Sequence, residues 1–133
     1  MDSQLVPDGF HYQRRVAYYE TDAMGVVHHS NYIRYFEDAR VDWMRERGLI
    51  NFHAPAGEFV FAVHELNCNF RSPLKFNDLF DVAVRAELDG VRIRLEYEIT
   101  CDGRPVADGK TVLVPLDSDF RPARLPPEAR ALF

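Results

Sequence analysis

Residues 79–101 read LFDVAVRAELDGVRIRLEYEITC, and their alternation decides the fold class. Phe80, Val82, Val84, Ala86 and Leu88 alternate with Asp81, Ala83, Arg85 and Glu87. Beyond Asp89-Gly90, the residues Val91, Ile93, Leu95, Tyr97, Ile99 and Cys101 alternate with Arg92, Arg94, Glu96, Glu98 and Thr100. A period of two over such lengths predicts antiparallel strands with one buried and one solvated face. Asp89-Gly90 suits the tight hairpin turn that demands positive φ. Asp102-Gly103 repeats the device and leads into a third strand over Pro105–Leu116. A further Asp108-Gly109 falls inside that run; the arm before it is short, which predicts a bulge rather than another hairpin.

Outward from this meander, EFVFAVHELNCNFR (Glu58–Arg71) is a further strand with mixed parity. Phe59, Phe61 and Val63 occupy one face, then Leu66, Cys68 and Phe70 the other. Either a bulge near His64-Glu65 or burial on both faces accounts for the switch. Phe10–Tyr19 reads as a first strand. Between the two lies one long helix, about Ser30 to Gly48, where Tyr32, Phe36, Ala39 and Trp43 form an apolar stripe at helical spacing. Ser30 or Asn31 is placed to cap its start and Gly48 to stop it. Strand, turn, long helix and four antiparallel strands make an α+β layout, with the helix lying across one sheet that must curl around it.

A chain of 133 residues, 47% hydrophobic and 28% charged, fits one domain, 1–133. The net charge of −5 argues against a nucleic-acid partner, which needs a concentrated basic face. No apolar run approaches the roughly 20 residues that span a membrane. The first residues, MDSQLVPDGF, have neither a basic start nor an apolar core, so no signal peptide is read there and a cytoplasmic location is expected. Cys68 and Cys101 sit in separate strand segments, outside any CxxC pair, and are expected to be reduced.

The chemistry concentrates in YYETDAMGVVHHSNY, Tyr18–Tyr32, at the junction of strand and helix. A helix start offers free N–H groups and partial positive charge, which polarise a carbonyl oxygen. A carboxylate beside it, Asp22, can attack that carbonyl or activate water. Gly25 lets the backbone approach a ligand or adopt positive φ. The plainer reading also stands, because aspartates in such loops commonly form turns or caps. His28-His29 invites a metal, but adjacent histidines do not readily converge on one ion and no further ligand follows at the right spacing. No metal is expected. Neither a GxSxG elbow nor a glycine-rich phosphate loop is present.

VAYYETDAMGVVHHSNYIRYFEDARVDWMRERGL, Val16–Leu49, resembles the opening of the 4-hydroxybenzoyl-CoA thioesterase family of hot-dog-fold proteins. It is nearest the branch that contains the Tol-Pal-associated acyl-CoA thioesterases. The resemblance continues through NFRSPLKFNDLFDV (Asn69–Val82) and the hairpins to about Leu116. It implies a five-stranded antiparallel sheet wrapped around the long helix. It also implies subunits paired edge to edge as a homodimer, often as dimers of dimers, with active sites at the subunit boundary. Asp22 matches the catalytic carboxylate, as nucleophile or as general base, and the backbone N–H at His29 matches the group that polarises the thioester; Gly25 sits in the same loop. The implied activity is hydrolysis of an acyl-CoA to free acid and coenzyme A without metal or organic cofactor. A non-catalytic module binding acyl-CoA or acyl-carrier protein is the alternative. Arg71, Lys75, Arg92 and Arg94 are candidate cations for the anionic coenzyme, or ordinary surface charges. Phe59, Phe61 and Val63 are candidates for the acyl site, or core.

Overall fold

The computed structural model describes residues 9–55 and 57–133. The absence of a signal peptide is read on residues 1–10, most of which lie outside the described part. The strands are β1 (Phe10–Arg15), β2 (Val60–Phe70), β3 (Leu79–Asp89), β4 (Arg92–Cys101) and β5 (Arg104–Leu116). They form one sheet in the order β1-β3-β4-β5-β2, with every neighbouring pair antiparallel. Helix α1 (Ser30–Arg47) lies across it, and a short α2 (Pro127–Arg130) follows near the C-terminal end. Five antiparallel strands around one main helix make the hot-dog arrangement, with the meander β3–β4–β5 as its centre.

The apolar stripe of α1 enters the sheet as its spacing requires. Tyr32, Tyr35, Phe36, Ala39 and Trp43 are buried against Phe80, Val82, Ile93, Leu95, Tyr97, Ile99 and Leu113. Each large side chain removed from water in this way contributes about 1.5–3 kcal/mol. Phe36 stacks on Tyr97 with ring centroids 4.4 Å apart and 9° between planes. Gly48 ends the helix at φ 80°, its N–H turned back to the Arg45 and Met44 carbonyls.

Two expectations are corrected along the strands. The first strand stops at Arg15 and gives way to a 3-10 turn at Tyr18–Glu20, because Ala17 N–H turns to the Glu20 carboxylate instead of a neighbouring strand. Asp108-Gly109 carries no bulge: Gly109 pairs Tyr97 on one side and Cys68 on the other. The irregularity in β5 lies at Val106, between the Ile99–Ala107 and Thr100–Pro105 pairs. Gly109 serves packing instead. A Cβ there would strike the Asn67 carbonyl oxygen and lie 2.8 Å from Phe36 Cε2, so the missing side chain is what seats the Phe36 ring on the sheet.

The bulge in β2 falls at His64, between the Val63–Leu113 and Glu65–Val112 pairs. Its consequence is a change of face. Val63, Leu66 and Cys68 stand opposite Leu113, Thr111 and Gly109, whose β4 partners Ile93, Leu95 and Tyr97 point at the helix. Both apolar sets of β2 therefore face the helix side. Yet β2 is the outer strand beyond β5, and Val63, Leu66 and Phe70 remain 52%, 42% and 54% exposed.

Candidate functional site

The loop between β1 and α1 is a small braced hairpin. Thr21 bridges Val27 and Val26 bridges Lys75, while Val27 N–H donates to the Leu74 carbonyl at 2.8 Å. Asp22 N–H donates to Val26 O and Gly25 N–H returns to Asp22 O, both at 2.9 Å. Gly25 takes φ 80° with open space around it, so it is present for the turn and not for a close approach. Asp22 Oδ1 accepts Met24 N–H at 2.8 Å. One carboxylate oxygen thus holds the turn, as the plainer reading of Asp22 requires, and among the described residues Oδ2 meets no donor. Asp22 is half-exposed, on a loop whose tip, Met24, is 82% exposed.

The helix start is capped from outside. Ser30 N–H donates to His28 Nδ1 at 3.2 Å, Asn31 N–H to His28 O at 2.9 Å and Tyr32 N–H to His29 O at 3.3 Å. The cap expected from Ser30 or Asn31 is corrected accordingly. His28 supplies the side-chain acceptor, and the Asn31 side chain turns inward to donate to Glu20 O at 2.9 Å. The His29 N–H, at the head of this series, has no acceptor among the described residues. The His28 and His29 rings lie against each other with centroids 4.1 Å apart. No group of three or more metal-ligating side chains forms among the described residues.

Behind the loop sits a buried polar hub that periodicity does not reveal. Glu20 is 6% exposed. Its Oε1 accepts from Arg14 Nη2 at 2.7 Å, Ala17 N–H at 2.8 Å and the Tyr35 hydroxyl at 2.9 Å. Arg14 also reaches Asp38 at 3.1 Å and lies over the Tyr35 ring. Burial pushes the Tyr35 hydroxyl pKa well up, and its bond to the Glu20 carboxylate adds to the rise. Burial works against the Arg14 charge, but Glu20 outweighs it and holds the guanidinium above its ordinary range. The only signal in the sequence is a carboxylate two residues before Asp22, which spacing alone cannot distinguish from a surface acid.

The other candidates divide by position. Lys75 borders the loop through its bridge to Val26 and has no ion-pair partner among the described residues. Arg71 lies near the same end of the sheet, but it is paired with Asp108 at 2.9 Å. That hydrogen bond lowers the Asp108 pKa, partly opposed by burial. Arg104, which the sequence did not single out, braces the 72–78 segment through Ser72 Oγ at 2.6 Å and Pro73 O at 2.8 Å. Arg92 and Arg94 stand on the face of β4 away from the helix, and Arg94 pairs Asp89 at 3.1 Å. They lie near the opposite end of β4 from Cys101, about 24–30 Å away by strand rise, so one chain does not bring them to the loop.

Phe59 is buried core. Phe61 stacks on His53 with centroids 5.2 Å apart, and Val63 is half-exposed. These three also lie toward the far end of β2. The residues that do approach the loop are Phe70 and Tyr32, whose rings meet edge to face at 5.2 Å. Burial raises the Tyr32 hydroxyl pKa, a hydrogen bond with the Leu74 backbone opposes this, and Asp22 is close enough to contribute to the rise.

One loop thus carries a half-exposed carboxylate with one oxygen open, which can direct water or itself at a carbon, and an open N–H at a helix start, which can polarise a carbonyl. Known proteins resemble the chain in sequence and in fold. A protein of Aquifex aeolicus is 44% identical over 80 residues, covering 59% of this chain and 61% of its own length. The chloroplastic acyl-acyl carrier protein thioesterase ATL3 of Arabidopsis thaliana is 32% identical, covering 90% of this chain and 64% of that protein. The chain thus spans a little under two thirds of these two relatives. The acyl-CoA thioesterase YbgC of Haemophilus influenzae is 27% identical, with 97% of each covered. Among solved structures, a hypothetical protein of Aquifex aeolicus superposes with a TM-score of 0.86 at 31% identity, covering 92% of this chain and 98% of that one. Residues 16–133, nearly the whole chain, match one family, and the chain belongs to the thioesterase-like superfamily.

Proposed function

We propose that the chain is an acyl-CoA thioesterase, nearest the 4-hydroxybenzoyl-CoA and Tol-Pal-associated branch. The observation that carries the reading is that one braced loop holds both the open Oδ2 of Asp22 and, at its other end, the open His29 N–H at the start of α1. The names of two relatives support it, the YbgC acyl-CoA thioesterase and a gentisyl-coenzyme A thioesterase structure at 27% identity and TM-score 0.83. In this reading the His29 N–H donates to the thioester carbonyl oxygen as it gains charge. Asp22 then either takes a proton from water, whose oxygen adds to the carbonyl carbon, or adds itself to give a mixed anhydride that water cleaves. The carbon–sulfur bond breaks in both routes, the thiolate takes up a proton, and the products are the free acid and coenzyme A. Residues 1–133 act as one domain in the cytoplasm, without metal or organic cofactor.

A homodimer completes the site. Among the described residues no strand pairs the outer edge of the 11-residue β2, and its helix-side apolar residues are exposed, so a second copy pairing antiparallel through β2 would bury both. Pairing about the middle of β2 carries Phe61 and Val63 of one copy toward the Phe70 end of the other, where Asp22 stands. Lys75 and Arg71 then border the mouth as cations for the coenzyme, and Arg92 and Arg94 reach it only from another copy. Dimers of dimers follow the same family pattern. The name of ATL3 favours one second reading, an ester carried on acyl-carrier protein instead of coenzyme A.

The test is thiol release from aromatic, short and long acyl-CoAs, with a carrier-protein ester of one acyl group alongside. Asp22→Asn keeps an oxygen for Met24 N–H and so keeps the turn, removing only the charge. A loss of about a hundredfold or more in kcat is expected. Near-parental hydrolysis by this variant would remove Asp22 from the mechanism, and saturable binding without thiol release by the parent would make the chain a binding module.

A further inference from the structure

We infer that Glu20 is the positioning residue of the Asp22 site, clamping both ends of the loop that carries the carboxylate and the His29 N–H. The inference rests on the role proposed for Asp22 and concerns what holds the reacting geometry. The Glu20 carbonyl oxygen receives two donors from the far end of the loop, His28 N–H at 2.9 Å and Asn31 Nδ2 at 2.9 Å. Its carboxylate fixes the near end, accepting from Ala17 N–H, Arg14 and the Tyr35 hydroxyl. One buried residue therefore binds the end of β1, the turn before Asp22, the residue before His29 and the first turns of α1.

The two halves do different things. The main-chain half sets where the helix start lies relative to Asp22. With His28 N–H turned inward to Glu20, the next N–H along the chain, that of His29, is left at the helix start without an acceptor among the described residues. The side-chain half stops residue 20 from rotating, because three donors converge on one oxygen inside the protein. A carboxylate so held does no chemistry itself: its oxygen is taken up by Arg14, Tyr35 and the Ala17 N–H. The charges that face it are Arg14 from β1 and, through Arg14, Asp38 from α1.

The experiment uses the full chain with one hydrolysable acyl-CoA. Asn31→Leu removes the amide donor to the Glu20 carbonyl at similar size, and Tyr35→Phe removes one donor to the carboxylate with the ring kept. Loosened positioning lowers kcat about tenfold to a hundredfold in Asn31→Leu, and several-fold in Tyr35→Phe, with KM within about twofold. Glu20→Gln, whose amide oxygen still accepts Ala17 N–H and the Tyr35 hydroxyl, recovers most of the kcat that Glu20→Leu loses. Both split and rescue lie outside what lost stability alone produces. Cooperative melting of each variant checks the fold, and if Asn31→Leu fails to fold, Tyr35→Phe decides.

Unchanged kcat in the folded variants, with Asp22→Asn inactive, overturns the clamp alone. Equal losses in Glu20→Gln and Glu20→Leu, or a rise in KM at constant kcat, do the same. Near-parental turnover by Asp22→Asn overturns the role of Asp22 and the clamp with it.

Discussion

Gly109→Ala tests how the helix is seated on the sheet. The added Cβ would strike the Asn67 carbonyl oxygen of β2 and lie 2.8 Å from Phe36 Cε2 and 3.1 Å from Cζ. Ordinary contact requires roughly 0.6 Å more between such carbons. Neither neighbour yields easily. The Phe36 ring is fully buried and stacked on Tyr97, which is tied to Thr111 by a 2.6 Å hydroxyl bond. The Asn67 oxygen belongs to the β2 backbone, which is paired with β5 along its length. Overpacking typically costs 1–3 kcal/mol, and two stiff neighbours put this case at about 2–3 kcal/mol. With an unfolding entropy of about 2.1 cal/mol/K per residue, or about 0.28 kcal/mol/K for this chain, the melting temperature should fall by about 7–11 °C. Thermal unfolding by calorimetry or circular dichroism measures it. A drop of less than about 2 °C, near 0.5 kcal/mol, would show that the sheet and ring part freely, and the role given to Gly109 would be wrong.

The remaining predictions concern β2. Burial, and then the Asp108 charge, push the Cys68 thiol pKa up to about 11. The folded protein should therefore react with thiol reagents much more slowly than a free cysteine at pH 8, and speed up as pH approaches 11; rapid labelling at pH 8 would contradict the burial. The sign for stability follows: the unfolded thiol ionises first, so the Cys68 contribution is intact below the ordinary thiol pKa near 9 and is lost as pH rises through 11. Val63→Lys with Leu66→Lys places two charges on the uncovered helix-side face, where each should be tolerated by a lone chain but not by a paired one. Sedimentation should show a dimer for the parent and a monomer for the double variant, with thiol release lost in parallel. A monomeric, active parent would refute the edge pairing.

What the sequence determined by itself was whatever repeats. The alternation in 79–101 places β3, β4 and their turn within a residue or two, and the spacing from Tyr32 to Trp43 places α1, because burial on one face imposes a period on every residue of an element. The mixed parity of 58–71 left open a bulge near His64-Glu65 or burial on both faces, and β2 carries the bulge at His64. Asp22, Gly25 and His29 could be singled out as a loop at a helix start, since turn chemistry is local. The strand end at Arg15 and the cap from His28 were not legible: the partners are only two or three residues apart, but several neighbouring side chains could take each N–H, and spacing does not say which one turns to it. Glu20 is the plainest case. Nothing in YYETD separates it from a surface acid until Arg14, Tyr35 and Asn31 converge on it from β1 and α1. Arg92 and Arg94 show the converse: they are equal to Arg71 and Lys75 as cations in the sequence, and the length and facing of β4 alone set them apart. Periodic burial is written along the chain, whereas the convergence of polar groups from separate elements exists only once the sheet has closed around the helix.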